Sequence, residues 1–197
     1  MHLVPNSDDW RLARSVHKRF KFRPGSDHIA SAGALAHLAA LLRTERVKSV
    51  LEFGSGIGTV SYLLLTTPPK DRHVVSVERN PFCLSQLTRN IPQELGPRFS
   101  IHRGKTVPDD DFDLVVIDGS VPDYSFLREG QLLFIEGGRS TQRHAVERIA
   151  EERGFSCSFY RYPEDGPRFY VKWGRLGAIP VPRLTRRFFC SIARIGV

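Results

Sequence analysis

The sequence predicts an α/β fold, a doubly wound and mostly parallel sheet of about seven strands with one antiparallel strand. Three observations carry this reading. Short apolar runs alternate with segments of helical character from residue 29 to residue 153. A glycine cluster, Gly54, Gly56 and Gly58, stands where the first of these runs passes into a helix. Two further apolar runs near the C-terminus, joined by Pro163-Glu164-Asp165-Gly166-Pro167, break the alternation and predict a hairpin that supplies the antiparallel strand.

The elements follow in order. Ile29 to Leu42 is rich in Ala and Leu and predicts a helix after the Pro24-Gly25 break, with Asp27 or Ser26 as its cap. Val47 to Phe53 predicts a buried strand, and Ile57 to Thr66 a helix. His73 to Glu78 is a second strand. Pro81 to Ile91 is a helix, with Asn80 as cap and Pro81 at its first position. Phe99 to Arg103, Phe112 to Asp118 and Gln131 to Glu136 read as the third, fourth and fifth strands. Thr141 to Arg153 is a helix stopped by Gly154. Phe155 to Tyr162 and Arg168 to Trp173 form the expected hairpin. Crossover connections between parallel strands put helices on both faces of the sheet.

The 197 residues suit one domain with extra length at both ends. We expect a basic N-terminal arm over 1–28, the α/β domain over 29–174 and a basic C-terminal arm over 175–197. The net charge of +8 sits on the ends: residues 1–25 hold six Lys/Arg against two Asp, and 175–197 hold five Arg and no acid. In the C-terminal arm Leu184, Phe188 and Ile192 recur at helical spacing among arginines and predict an amphipathic helix. Such arms suit docking on their own domain, a homodimer contact, nucleic acid or an anionic membrane surface. No apolar run is long enough to span a membrane. Three scattered cysteines and no secretory pattern point to the cytoplasm.

The chemistry concentrates in Leu51-Glu52-Phe53-Gly54-Ser55-Gly56-Ile57-Gly58-Thr59, a strand-to-helix turn at the sheet edge where ligands bind. The third glycine comes one residue early for the G-x-G-x-x-G turn that seats a dinucleotide pyrophosphate, which disfavours a nicotinamide enzyme. Glu52 would also repel a pyrophosphate and suits a cationic ligand. Glu78 ends the next strand, placed to accept two ribose hydroxyls.

This E-x-G-x-G-x-G pattern followed by an acid at the end of the second strand resembles the class I S-adenosylmethionine-dependent methyltransferases, over roughly residues 29–174. The resemblance implies a Rossmann-like domain and S-adenosylmethionine as cofactor. It implies that Gly54, Ser55, Gly56 and Gly58 line the methionine and ribose, that Glu52 lies near the amino group, and that Glu78 and Arg79 flank the ribose. Gly104-Lys105 stands where many relatives carry Gly-Asp beside the adenine. The Ile117-Asp118-Gly119 ending is similar to that of small-molecule O-methyltransferases, in which the Asp binds a divalent metal with an Asp-Asn pair after the fifth strand. Here Glu136-Gly137-Gly138 follows that strand, leaving Asp118 and Glu136 as the oxygen ligands for any Mg²⁺. The catechol-type lysine is replaced by Val121. Asp118, also beside the cofactor, and Glu136 are the candidate catalytic groups, with Asp123, Tyr124, Arg139 and His144 in the loops beyond and His28 near the pocket. The amino-nitrogen signature and the Pro-Cys of cytosine methylation are both missing after the fourth strand. The implied function is methyl transfer to an oxygen of a small-molecule acceptor. The alternatives are an RNA or protein methyltransferase gripping its target with the basic arms, and a cofactor-binding module without catalysis.

Overall fold

The computed structural model describes residues 3–103, 110–137, 139–157, 159–163, 169–174, 177–182 and 188–196. Its main sheet contains β1 (Ser49–Phe53), β2 (His73–Val77), β3 (Phe99–His102), β4 (Leu114–Ile117), β5 (Leu132–Glu136), β6 (Ser156–Cys157), β7 (Tyr160–Pro163) and β10 (Phe188–Gly196). The order is β3-β2-β1-β4-β5-β10-β6, and β7 also pairs with β10. The pairs among β1 to β5 are all parallel. β10 is antiparallel to β5, β6 and β7. β8 (Phe169–Gly174) and β9 (Gly177–Pro182) pair only with each other.

Side-chain parity divides the core. Val50, Val74, Leu114, Val116, Leu132, Phe134, Cys190 and Ile192 pack with α1 (Ser7–Phe20), α2 (Ala32–Thr44), α3 (Thr59–Thr66) and α4 (Pro81–Asn90). Leu51, Phe53, Val115, Ile117, Leu133 and Ile135 pack on the other face with Phe126, Leu127 and α5 (Ser140–Glu152). The strands are covered on both sides, which explains their unbroken apolar runs.

Two expectations about the chain ends are corrected. The antiparallel strand is β10, from the last residues, and the predicted partners of the hairpin separate, β7 joining β10 while β8 joins β9. The segment read as an amphipathic helix is therefore a strand over 188–196. From Cys190 to Ala193 every side chain is buried, so no polar stripe is left for a helix's wet face. At the other end, residues 7–20 form a helix that the sequence reading passed over. Asn6 accepts from the Asp8 and Asp9 amides while Asp9 returns a bond to the Asn6 amide, a capping box. Ala13, Val16 and Phe20 are its buried face. Asp9, itself buried, takes the Arg43 guanidinium at 3.0 Å, and the Leu3 amide donates to the Tyr162 hydroxyl at 2.6 Å. No helix among the described residues is long and apolar enough to cross a membrane.

One carboxylate lies inside the first layer. Glu52 follows Val50 in parity and points toward α3, where it is fully buried. Its Oε2 accepts from the Ser61 hydroxyl at 2.6 Å and from the Ser76 hydroxyl. Burial lifts its pKa from 4.5 to about 7, against the lowering effect of the two hydroxyls.

Two predictions follow from this packing. A chain stopped at residue 187 lacks the strand between β5 and the β6–β7 edge, and it should fail to give a monodisperse, cooperatively melting protein by gel filtration and circular dichroism. The raised Glu52 pKa favours the protonated form in the fold, so its contribution is complete below about pH 4.5 and lost as pH rises through about 7. Urea denaturation at pH 5 and pH 8 should show wild type losing about 2.5 kcal/mol relative to Glu52→Gln over that interval.

Candidate cofactor cleft

The sheet order reverses at β1 and β4, and a cleft of about 630 Å³ opens at their carboxyl ends. Its floor is the turn after β1. Gly54, Gly56 and Gly58 all adopt positive φ (84°, 53° and 97°), a region closed to most side chains. The three have different further reasons to be glycine. A Cβ on Gly54 would lie 2.6 Å from the Gly119 Cα, so the ends of β1 and β4 meet backbone to backbone. A Cβ on Gly56 would project into open space, and Gly56 lines the cleft. Gly58 caps the start of α3 and faces Leu87 of α4 and Ile91 just after it (nearest contact of a Cβ 3.0 Å), away from the cleft wall. Ser55 lines the cleft, and its buried hydroxyl has no partner among the described residues.

Glu78 fixes one wall. Its Oε2 accepts from the Gly56 amide at 2.9 Å, and its Oε1 accepts from the Arg79 and Asn80 amides at 2.8 and 2.9 Å. One carboxylate thereby ties the turn after β1 to the turn after β2. Asn80 then caps α4 through the Phe82 amide at 2.9 Å. Arg79, Asn80, Phe82 and Cys83 extend this wall.

Asp118, Gly119 and Ser120 form the opposite wall, with Pro122 and Arg139. The Arg139 Nη2 donates to the Asp118 carbonyl and Oδ1, both at 2.7 Å, and stands 3.7 Å from the Glu136 Oε2. Burial raises the Asp118 pKa well above the carboxylate norm; the Glu136 charge raises it further, and Arg139 opposes both. The donor set does not suit a divalent ion as it stands, because the guanidinium already occupies the space between the two carboxylates. Among the described residues no group of three His, Cys, Asp or Glu side chains converges.

The segment between α1 and α2 roofs the cleft with Gly25, His28, Ile29 and Ala30. Gly25 (φ 86°) approaches Phe82 and Ile57 so closely that a Cβ would sit 2.7 and 2.8 Å from them. Arg23 anchors the segment by donating to Asn90 at 2.7 Å, and Asn90 donates to the Ile57 carbonyl at 2.9 Å.

Of the residues singled out from sequence, Gly54, Ser55, Gly56, Glu78, Arg79 and Asp118 are brought together around the cleft, with His28 and Arg139. Glu52 is not on the wall but beneath the turn, because strand parity sends it into the helix layer. Glu136 lies behind Arg139 rather than on the wall. Gly104 and Lys105 lie outside the described residues. Of the roof only His28 was anticipated; Gly25, Ile29, Ala30 and Phe82 were not, and the Pro24-Gly25 break was the signal for the turn.

No family model and no curated protein matches the sequence. Solved structures do match in shape. A precorrin-6y C5,15-methyltransferase from Geobacter metallireducens superposes with a TM-score of 0.60 at 16% identity, covering 88% of this chain and 95% of that one. A candidate RNA methyltransferase from Pyrococcus horikoshii gives 0.60 at 17%, covering 98% of both chains. An O-methyltransferase from Bacillus cereus, solved with S-adenosylhomocysteine, gives 0.60 at 16%, covering 99% and 93%. The chain therefore has the Rossmann-like α/β fold of the S-adenosylmethionine-dependent methyltransferases, closed by an antiparallel C-terminal strand.

Proposed function

We propose that this chain is an S-adenosylmethionine-dependent methyltransferase acting at an oxygen of a small acceptor. The observation that carries the reading is the Glu78–Gly56 tie: a carboxylate fixed by three amides beside a glycine turn whose open side faces the cleft. A carboxylate held in this way suits a vicinal diol, and the bare backbone at Gly56 lets a ligand lie against the turn. When bound, S-adenosylmethionine supplies an electrophilic methyl group on a sulfonium.

The protein's part is then to bind, orient and accept a proton. Glu78 holds the ribose end and the Gly54–Gly56 backbone supports the methionine end. This leaves the Asp118–Ser120 wall for the acceptor, in line with the methyl group. With the cofactor bound, an acceptor hydroxyl on this wall would face the methyl group, and Asp118 would be placed to take its proton. Its raised pKa makes it a better proton acceptor than an ordinary carboxylate. Arg139 holds its Oδ1 in position, and Glu136 adds negative charge behind it.

A second reading, an RNA acceptor, is favoured by the outer face of α1. Arg11, Arg14 and Lys18 are exposed there, opposite the buried Ala13, Val16 and Phe20, and Lys21 follows at the helix end. Arg14 stacks over Trp10, and Phe22 is 83% exposed just before the cleft roof. Four phosphate contacts on a single strand would give a salt slope of about −2.8, so affinity for a short unstructured RNA should fall roughly 50-fold between 50 and 200 mM salt. Fluorescence anisotropy showing no such binding would remove this reading.

The main reading is tested by calorimetry with S-adenosylmethionine and S-adenosylhomocysteine. Both should bind wild type, and Glu78→Ala should weaken both by about 10- to 100-fold, the loss of charge-assisted bonds of roughly 1.5–3 kcal/mol. Folded protein that binds neither ligand would refute it.

A further inference from the structure

β4 and β5 run parallel with Ile117 opposite Ile135, so the next residue on each strand, Asp118 and Glu136, brings two carboxylates to neighbouring places at the carboxyl edge of the sheet. Paired strands lie only about 4.8 Å apart, and like charges facing each other across them are destabilising. The pair calls for a cation, and the chain supplies it three residues later. Gly137 takes a positive φ of 63°, and Arg139, just before α5, comes back over the strand ends. Its Nη2 lies 2.7 Å from the Asp118 Oδ1 and 3.7 Å from the Glu136 Oε2, and it donates to the Asp118 carbonyl as well.

The other nitrogens of this guanidinium are placed differently. Nε is buried with no partner among the described residues, and Nη1 donates to none of them. Arg139 lines the cleft, so Nη1 is the donor left for an oxygen that binds at this wall. The second arginine of the cleft, Arg79, stands on the opposite wall beside Glu78. A divalent ion between two such carboxylates would hold them in place and polarise an acceptor oxygen. A guanidinium is planar, charged at every physiological pH and shaped to engage carboxylates. We propose that Arg139 is the permanent cation of the acceptor wall, standing between Asp118 and Glu136 in the place that a divalent metal ion would take. That this wall receives the acceptor rests on the cofactor reading above; the exchange of cations rests on these three side chains alone.

Removing the guanidinium should open that place to a hard cation. The probe is Mn²⁺ alone, which takes carboxylate oxygens, read by the loss of its free-ion paramagnetic resonance signal on addition of the full chain. Wild type should leave the signal unchanged. Arg139→Gln, close in length and without charge, should bind the ion at least about tenfold more tightly than wild type. Mn²⁺ should also raise the melting temperature of that variant and not that of wild type. Arg139→Lys keeps the charge and should exclude the ion as wild type does, which separates charge from shape. Asp118→Asn added to Arg139→Gln should abolish the binding. If Arg139→Gln does not fold alone, Mn²⁺ in the refolding buffer should restore it, and should not restore the double variant.

Equal Mn²⁺ binding by wild type and Arg139→Gln would overturn the proposal, because the arginine would then exclude nothing. So would binding by neither, binding that survives Asp118→Asn, a Lys variant that binds like the Gln variant, or a Gln variant that Mn²⁺ fails to refold. None of these measurements uses the cofactor. A chain that exchanges Arg139 for Mn²⁺ but binds no S-adenosylmethionine refutes the cofactor reading and keeps the cation assignment, and a chain that binds the cofactor without the exchange does the reverse.

Discussion

The backbone contact between Gly54 and Gly119 is the constraint on which the cleft depends. A side chain at either position would place its Cβ within 2.7 Å of the other's Cα, a distance that close packing does not allow. With both glycines present, the carboxyl ends of β1 and β4 touch. Glu78 is then fixed on one side of the seam by the Gly56 amide, and Asp118 on the other by its place next to Gly119. The separation of these two groups is set by main chain rather than by rotamer choice. That is the condition under which a site holds geometry to a fraction of an ångström.

Much of this was legible in the sequence. β1, β2, β4 and β5 are runs of Val, Leu, Ile and Phe that end in polar or glycine residues, and they appear within a residue or two of expectation. The glycine turn and Glu78 were legible because local backbone geometry and a fixed strand length determine both. Gly119 was noticed only as part of a motif. Its partner is 65 positions earlier, and no local rule announces a close approach over that distance.

One failure comes from burial on both sides of an element, which removes the periodicity by which it is read. In the sequence Phe188 and Ile192 fall at helical spacing with Leu184 by coincidence, while the buried run from Cys190 to Ala193 in β10 is what a central strand requires. In α1 the error ran the other way. Its period was plain at Ala13, Val16 and Phe20, and its cap was plain at Asn6 and Asp9, but its basic residues drew the reading toward a basic arm. Glu52 shows a finer version. Its distance along the chain from Gly54 suggested a place beside the ligand, whereas parity with Val50 sends it to the opposite side of the backbone.

A buried carboxylate with one oxygen unpartnered works against stability near neutral pH, and an apolar residue of similar size would pack there without that penalty. The two hydroxyls from Ser61 and Ser76 offset part of the cost, but their effect is smaller than that of desolvation. A surface carboxylate is ionised throughout the physiological range and is screened from its surroundings by water and salt. The same group beneath the glycine turn has its pKa raised by burial, and the charge of Glu78 raises it further. Its protonation is therefore set by its buried surroundings rather than by bulk water, and the structural penalty and the raised pKa have the same origin.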